Sequence, residues 1–197
     1  MQRPDEQKRQ LIIDTAARFF ATQPYHKVRL DDIAAAAKLG KGTLYIYFES
    51  KEDLYFTLIY DGFSALVDEL RDQLHADADD PTVRRLERIV GALVSFGFRN
   101  PHLFELIRTA GSVPGQADTR WKEKGRELQE LIEETIRTGI ERKEVADAHP
   151  QLTALCIPGM VRAVMLFGPR GADEGTVTGH IVRLLSEGIG TDKREIR

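Results

Sequence analysis

Apolar residues recur along this chain at spacings of three and four, the period of an amphipathic helix. Ile12, Ala16, Phe19 and Phe20 mark one face of a first helix over 6–22. Gln23-Pro24 ends it, because proline lacks an amide hydrogen and its ring clashes with the preceding turn. Short helices are predicted at 30–37 and 41–47, and Leu54, Leu58, Phe63, Leu66, Val67, Leu70 and Leu74 stripe a long fourth. Asp80-Pro81 and Asn100-Pro101 both read as a cap followed by proline in the first helical position, starting a fifth and a sixth helix. Trp121, Leu128, Leu131, Ile132, Ile136 and Ile140 stripe a seventh. His149-Pro150 opens an eighth, reaching Phe167, and Val177, Ile181, Leu184, Leu185 and Ile189 mark a ninth. No strand-like alternation of useful length and no internal repeat interrupts the series. The fold class is therefore all-α, with about nine helices.

Residues 25–54 behave differently from the rest. Two helices of about two turns each are too short to bury an apolar face alone. Ile33, Ala34, Ala37, Leu39, Leu44 and Phe48 must pack on one another and on Phe19 and Phe20. That predicts an N-terminal tri-helical helix-turn-helix domain over 1–54 and a larger helical bundle over 55–197.

Composition narrows the function classes. Of the 197 residues 42% are hydrophobic and 30% charged, enough apolar material for a core in water. The net charge of −3 excludes a wholly basic nucleic-acid coat, but its distribution is uneven. Residues 8–51 carry +4, leaving −7 to the remainder. The lone Cys156 permits no internal disulfide, which fits a reducing cytoplasm, and its place on an apolar helix face predicts a small buried hydrophobe. Met1 to Glu6 lacks an apolar signal region. No apolar run is expected to reach the ~20 residues of a membrane span. His26, His75, His102, His149 and His180 are scattered without metal-ligand spacing, and no Ser-His-Asp or Cys-His set can be argued. No cofactor, no metal and no enzymatic activity are expected.

The third helix carries the candidate chemistry. With Leu44 and Phe48 turned inward, Lys41, Gly42, Thr43, Tyr45, Ile46 and Tyr47 lie on or near its outer side. A helix N-terminus fits the major groove, where a lysine can donate to guanine and a threonine offers a hydroxyl and a methyl. Tyr47 and Lys51 are placed to hold phosphates, and Arg29 precedes a helix start that also favours one. The run Lys41-Gly42-Thr43-Leu44-Tyr45-Ile46-Tyr47-Phe48, with Ile33-Ala34 before it and Ser50-Lys51-Glu52-Asp53-Leu54 after it, resembles the DNA-binding domain of the TetR/AcrR family of regulators. The resemblance implies a homodimeric repressor on a palindromic operator, released when a small molecule enters the C-terminal domain. It places Lys41 and Thr43 near bases, Gly42 and Tyr45 at the interface, Ile46 near a base edge or the groove wall, and Tyr47 and Lys51 on phosphates. Two departures stand out. Val28-Arg29 replaces the family's threonine. The turn reads Lys38-Leu39-Gly40 rather than Gly-Val-Ser, so Lys38 must adopt a left-handed conformation at about 1 kcal/mol and Gly40 caps weakly.

In the C-terminal bundle, Phe63, Phe96, Trp121 and Met160 are the candidates for an apolar ligand pocket, with Arg99, His102 or Arg108 to orient a polar group. Pro158 should kink the eighth helix. Gly159, Ala163, Gly168, Gly179 and Gly188 among large aliphatics predict close helix approach, as in a four-helix interface between two protomers. Two other readings stand beside this one. One is an all-helical enzyme, and the other is a DNA-binding module controlled by a protein partner.

Overall fold

Asp5 starts the first helix by accepting the Gln7 amide on its carboxylate at 3.0 Å, and α1 (Glu6–Thr22) then runs until Pro24 forbids another turn. The computed structural model describes residues 5–101, 117–169 and 171–189. After a 3₁₀ turn at Tyr25–Lys27 come α2 (Leu30–Ala36), α3 (Lys41–Tyr47), α4 (Lys51–Ala76) and α5 (Thr82–Arg99). They are followed by α6 (Ala117–Glu141), α7 (Pro150–Phe167) and α8 (Glu174–Ile189). No strand appears among the described residues, and the sixth helix expected after Asn100 falls outside them.

The described chain parts into two compact units, 5–62 with 117–118 and 63–101 with 119–189, the first boundary falling inside α4. In the first unit α1, α2 and α3 close around Ile12, Ile13, Ala16, Val28, Ile33, Ala34, Leu44 and Phe48. Leu54 of α4 completes this core, with Phe19 and Phe20 packed at its edge. Ser50 caps α4 by accepting the Asp53 amide at 3.0 Å, while the Asp53 carboxylate accepts the Glu49 amide at 3.0 Å.

The second unit is a bundle around Leu70, Leu74, Ile89, Val90, Ile132, Ile136, Ile157 and Ile181. The start of α5 is a correction to the sequence reading. Pro81 occupies the cap position, and Asp80 pairs with Arg88 at 2.9 Å. The missing cap is supplied from far along the chain, where the Glu144 carboxylate accepts both the Thr82 amide at 2.6 Å and its hydroxyl at 2.7 Å. Gly139 of α6 lies so close to Thr82 that any side chain there would collide with it. Helix α4 meets α6 through a closed ring of charges. Lys124, only 8% exposed, donates to Asp68 at 3.0 Å and to Glu127 at 2.8 Å. Arg71 reaches the same two carboxylates at 2.9 and 2.7 Å.

Helix α7 changes two expectations. It is long and apolar enough, by length and composition, to cross a membrane, which the sequence reading had not expected of any segment. Only 22% of it is buried. Its outer face carries Leu152, Leu155, Gly159, Ala163 and Phe167, all exposed. Cys156 lies on this face too, exposed rather than buried as predicted, because among the described residues no helix packs over it.

Candidate nucleic-acid interface

The turn between α2 and α3 sets the attitude of the candidate reading helix. After Ala36 the chain closes a Schellman motif, in which the Leu39 amide donates to the Ala34 carbonyl and the Lys38 amide to the Ala35 carbonyl, at 2.9 and 3.0 Å. Lys38 carries the left-handed φ of 56° that this motif demands. Gly40 follows in extended backbone as the cap residue of α3 and supplies no side-chain hydrogen bond. Both features are those expected of the Lys38-Leu39-Gly40 turn.

With a buried residue every four positions, α3 turns Leu44 and Phe48 into the core and leaves the opposite side open. Lys41, Gly42, Tyr45 and Ile46 are exposed, and Thr43 and Tyr47 are half-buried. Ile46 is 72% exposed. An isoleucine left in water forgoes about 1.5–3 kcal/mol of burial, which a groove wall or thymine methyl can restore. Arg29 is exposed at the start of α2.

Four of the predicted contact side chains, Arg29, Lys41, Tyr47 and Lys51, have partners that sequence reasoning missed. The Lys41 ammonium lies 3.0 Å from both oxygens of Asp31, and the Arg29 guanidinium stands 3.9 Å from one of them. The hydrogen bond to Asp31 and its charge raise the Lys41 pKa above the ordinary lysine value. Lys51 is half-buried, donates to the Tyr25 and Val28 carbonyls at 3.0 and 3.3 Å, and sits over the Tyr25 ring at 4.2 Å. Two of its three hydrogens are therefore directed at carbonyls inside the protein. Tyr25 in turn donates to Glu52 at 2.8 Å, and burial together with that bond pushes its phenol far above the usual range. Tyr47 accepts the Asp5 amide on its hydroxyl oxygen at 3.0 Å, so its own hydrogen stays available to an outside acceptor. The signal for the Asp31 pair was present, since an acidic first turn on α2 stands ten residues before a lysine in a motif whose two helix starts lie close.

Among the pocket candidates, the Phe63 ring stacks on Trp121 at 5.2 Å and tilts against Phe96 at 5.5 Å. Met160 packs against the main core of the same unit. None of the four lines the cavity of about 220 Å³ bounded by Gly97, Phe98, Pro101, Val164, Met165 and Gly168. Arg99 donates to the Ser95 carbonyl at 3.3 Å, and His102 and Arg108 lie outside the described residues.

The family described as "Bacterial regulatory proteins, tetR family" matches residues 12–58, and "Tetracyclin repressor-like, C-terminal domain" matches residues 79–189. The chain belongs to the TetR family. It is a helix-turn-helix, DNA-binding transcriptional regulator. One relative, the uncharacterized HTH-type transcriptional regulator YhgD of Bacillus subtilis, is 28% identical over 75% of this chain and 76% of its own length. A regulator from Saccharomonospora viridis in complex with choline superposes with a TM-score of 0.74, at 22% identity, covering 95% of this chain and 100% of its own. AibR in complex with isovaleryl coenzyme A and operator DNA superposes at 0.58, with 17% identity, covering 90% and 97%. The two family segments leave Phe63 between them and place Phe96, Trp121 and Met160 in the C-terminal one. In this TetR-family chain the Schellman turn with lysine at its left-handed position keeps the helix-turn-helix geometry despite the missing glycine.

Proposed function

We propose that this chain acts as a cytoplasmic homodimer that reads a palindromic operator with Lys41, Thr43, Tyr45 and Ile46 and holds phosphates with Arg29, Tyr47 and Lys51. It releases or rearranges on DNA when a small molecule binds the C-terminal unit. The observation that carries this reading is the open side of α3. Lys41, Gly42, Tyr45 and Ile46 face solvent on a two-turn helix pinned by Leu44 and Phe48. Such an arrangement presents side chains to a groove without unfolding anything.

The dimer is supported by the uncovered apolar face of α7. Leu152 and Leu155 are each more than half exposed, Phe167 is 77% exposed, and Leu184 of α8 is exposed too. A monomer rarely leaves such a stripe in water, and a second copy of the same two helices would cover it by two-fold symmetry. Dimerisation accounts for the apolar character of α7 without a membrane. Two reading helices about one DNA turn (~34 Å) apart then match successive major grooves.

An apolar or partly apolar effector is supported by the aromatic cluster of Phe63, Phe96 and Trp121 and by the nearby apolar cavity. It also agrees with the choline and acyl-coenzyme A held by the structural neighbours. The cluster is closed ring on ring, so a ligand entering there must separate Phe63 from Trp121, and hence α4 from α6. The effector shifts the DNA-binding equilibrium only by its differential affinity for the two states. No catalytic step belongs to this reading.

The test is Thr43→Ala against a duplex enriched by the wild-type chain from a random pool. The variant loses about 1–3 kcal/mol on that duplex and much less on random DNA. Equal losses on both would refute base reading by α3.

A further inference from the structure

The reading face carries an acidic side chain where phosphates are expected. Asp31 lies in the first turn of α2 and meets Lys41 of α3 with both carboxylate oxygens 3.0 Å from the ammonium, while Arg29 stands 3.9 Å away. A carboxylate on a DNA-facing surface repels the backbone it must approach, and an exposed ion pair adds little stability. The positive end of α2 favours an acid in its first turn, but that alone does not direct its carboxylate onto Lys41.

We propose that Asp31 is a positioning residue that sets DNA specificity by holding Lys41 off phosphates and aimed at base edges. The inference rests on the groove-reading role of α3 given above. A lysine ammonium is a compact charge on a flexible stem, and unpaired it settles on whichever phosphate is near. Paired with Asp31, it must lose that partner before it can neutralise a phosphate, so its contribution to random DNA is cancelled. One or two of its three hydrogens remain free of the carboxylate, and the pair fixes where they point. A guanine in the right register receives them with the pair intact. The acid thus weakens binding to every sequence and returns the loss only on the matching one, which widens the gap between operator and random DNA. Arg29, held more loosely on the same carboxylate, is the lesser beneficiary of its removal.

The experiment is a salt titration of duplex binding by fluorescence anisotropy, using a random-sequence duplex and the duplex enriched by the wild-type chain. The proteins are the full-length wild type, Asp31→Asn, Asp31→Glu, Lys41→Met and the Asp31→Asn/Lys41→Met double variant. Asp31→Asn binds random DNA roughly two- to fivefold tighter at low salt. Its log–log salt slope on that duplex steepens by about 0.9, one additional phosphate contact. Its ratio of enriched to random affinity falls. Asp31→Glu, which keeps the pair, stays near wild type on all three readouts. In the Lys41→Met background, Asp31→Asn leaves the ratio unmoved. An unchanged random-DNA slope in Asp31→Asn overturns the proposal, as does a gain of the same size with Lys41 absent, which would make Asp31 a diffuse repulsive charge. A wild-type chain that binds no duplex at all overturns the groove-reading role itself, and this proposal with it.

Discussion

At Lys38 the backbone turns left-handed under a residue that has a Cβ, and the strain is tolerated because the Schellman hydrogen bonds to Ala34 and Ala35 require that turn. Lys38→Gly removes the clash and should raise the stability of the first unit by about 1 kcal/mol in chemical denaturation. No gain, or a loss, would mean that the lysine is not strained there. This conformation was legible through the family resemblance, in which the turn carries a glycine where this chain has Lys38. The partners of Tyr47 and Lys51 were not legible. Asp5 and Tyr47 are 42 positions apart, and Tyr25 and Lys51 are 26 apart, so no periodicity links them. Tertiary packing alone brings those pairs together, and it turns Lys51 from a purely outward cation into a side chain that also ties the 3₁₀ turn to α4.

Among the elements, α4 and α6 are joined by the ring of Asp68, Arg71, Lys124 and Glu127. Hydrogen bonds from Lys124, then Arg71, hold both carboxyls below their ordinary range. Burial works against the charge on Lys124, but its bonds to Glu127 and Asp68 outweigh that and raise its pKa. The signs follow from linkage. Depressed carboxyl pKa values give stability that is present above their unfolded values and lost as pH falls through the folded ones. The raised lysine gives stability that is present below its unfolded value and lost as pH climbs through the folded one. The stability difference between wild type and Lys124→Met should therefore be flat from about pH 5.5 to pH 9.5 and shrink below about pH 4. A difference that persists undiminished in acid would show that Lys124 acts by packing its stem rather than by charge. Helix α7 calls for a separate test. Ala163 is exposed within one chain, so Ala163→Glu leaves the fold intact while placing a charge in the proposed interface. Sedimentation should find monomers at micromolar concentration, and a persistent dimer would move the interface elsewhere.

For the molecule as a whole, the helical pattern and the short paired helices around Ile33 and Leu44 were readable because a two-turn helix has few ways to hide its apolar side. The start of α5 was misread for the opposite reason. Asp80-Pro81 satisfies the local rule for a cap, yet Glu144 arrives from 62 residues away and takes the role. The uncovered side of α7 was signalled by its small residues, while the exposure of Cys156 was not, since an apolar face looks the same in sequence whether its own chain or a second copy covers it. The central claim is that α3 enters a major groove twice per assembly. Selection of bound duplexes from a random pool tests it most directly. The account predicts an enriched palindrome whose half-sites are one helical turn, about 10 base pairs, or a multiple of that apart. Enrichment of a single unpaired half-site, or of no sequence at all, would contradict it.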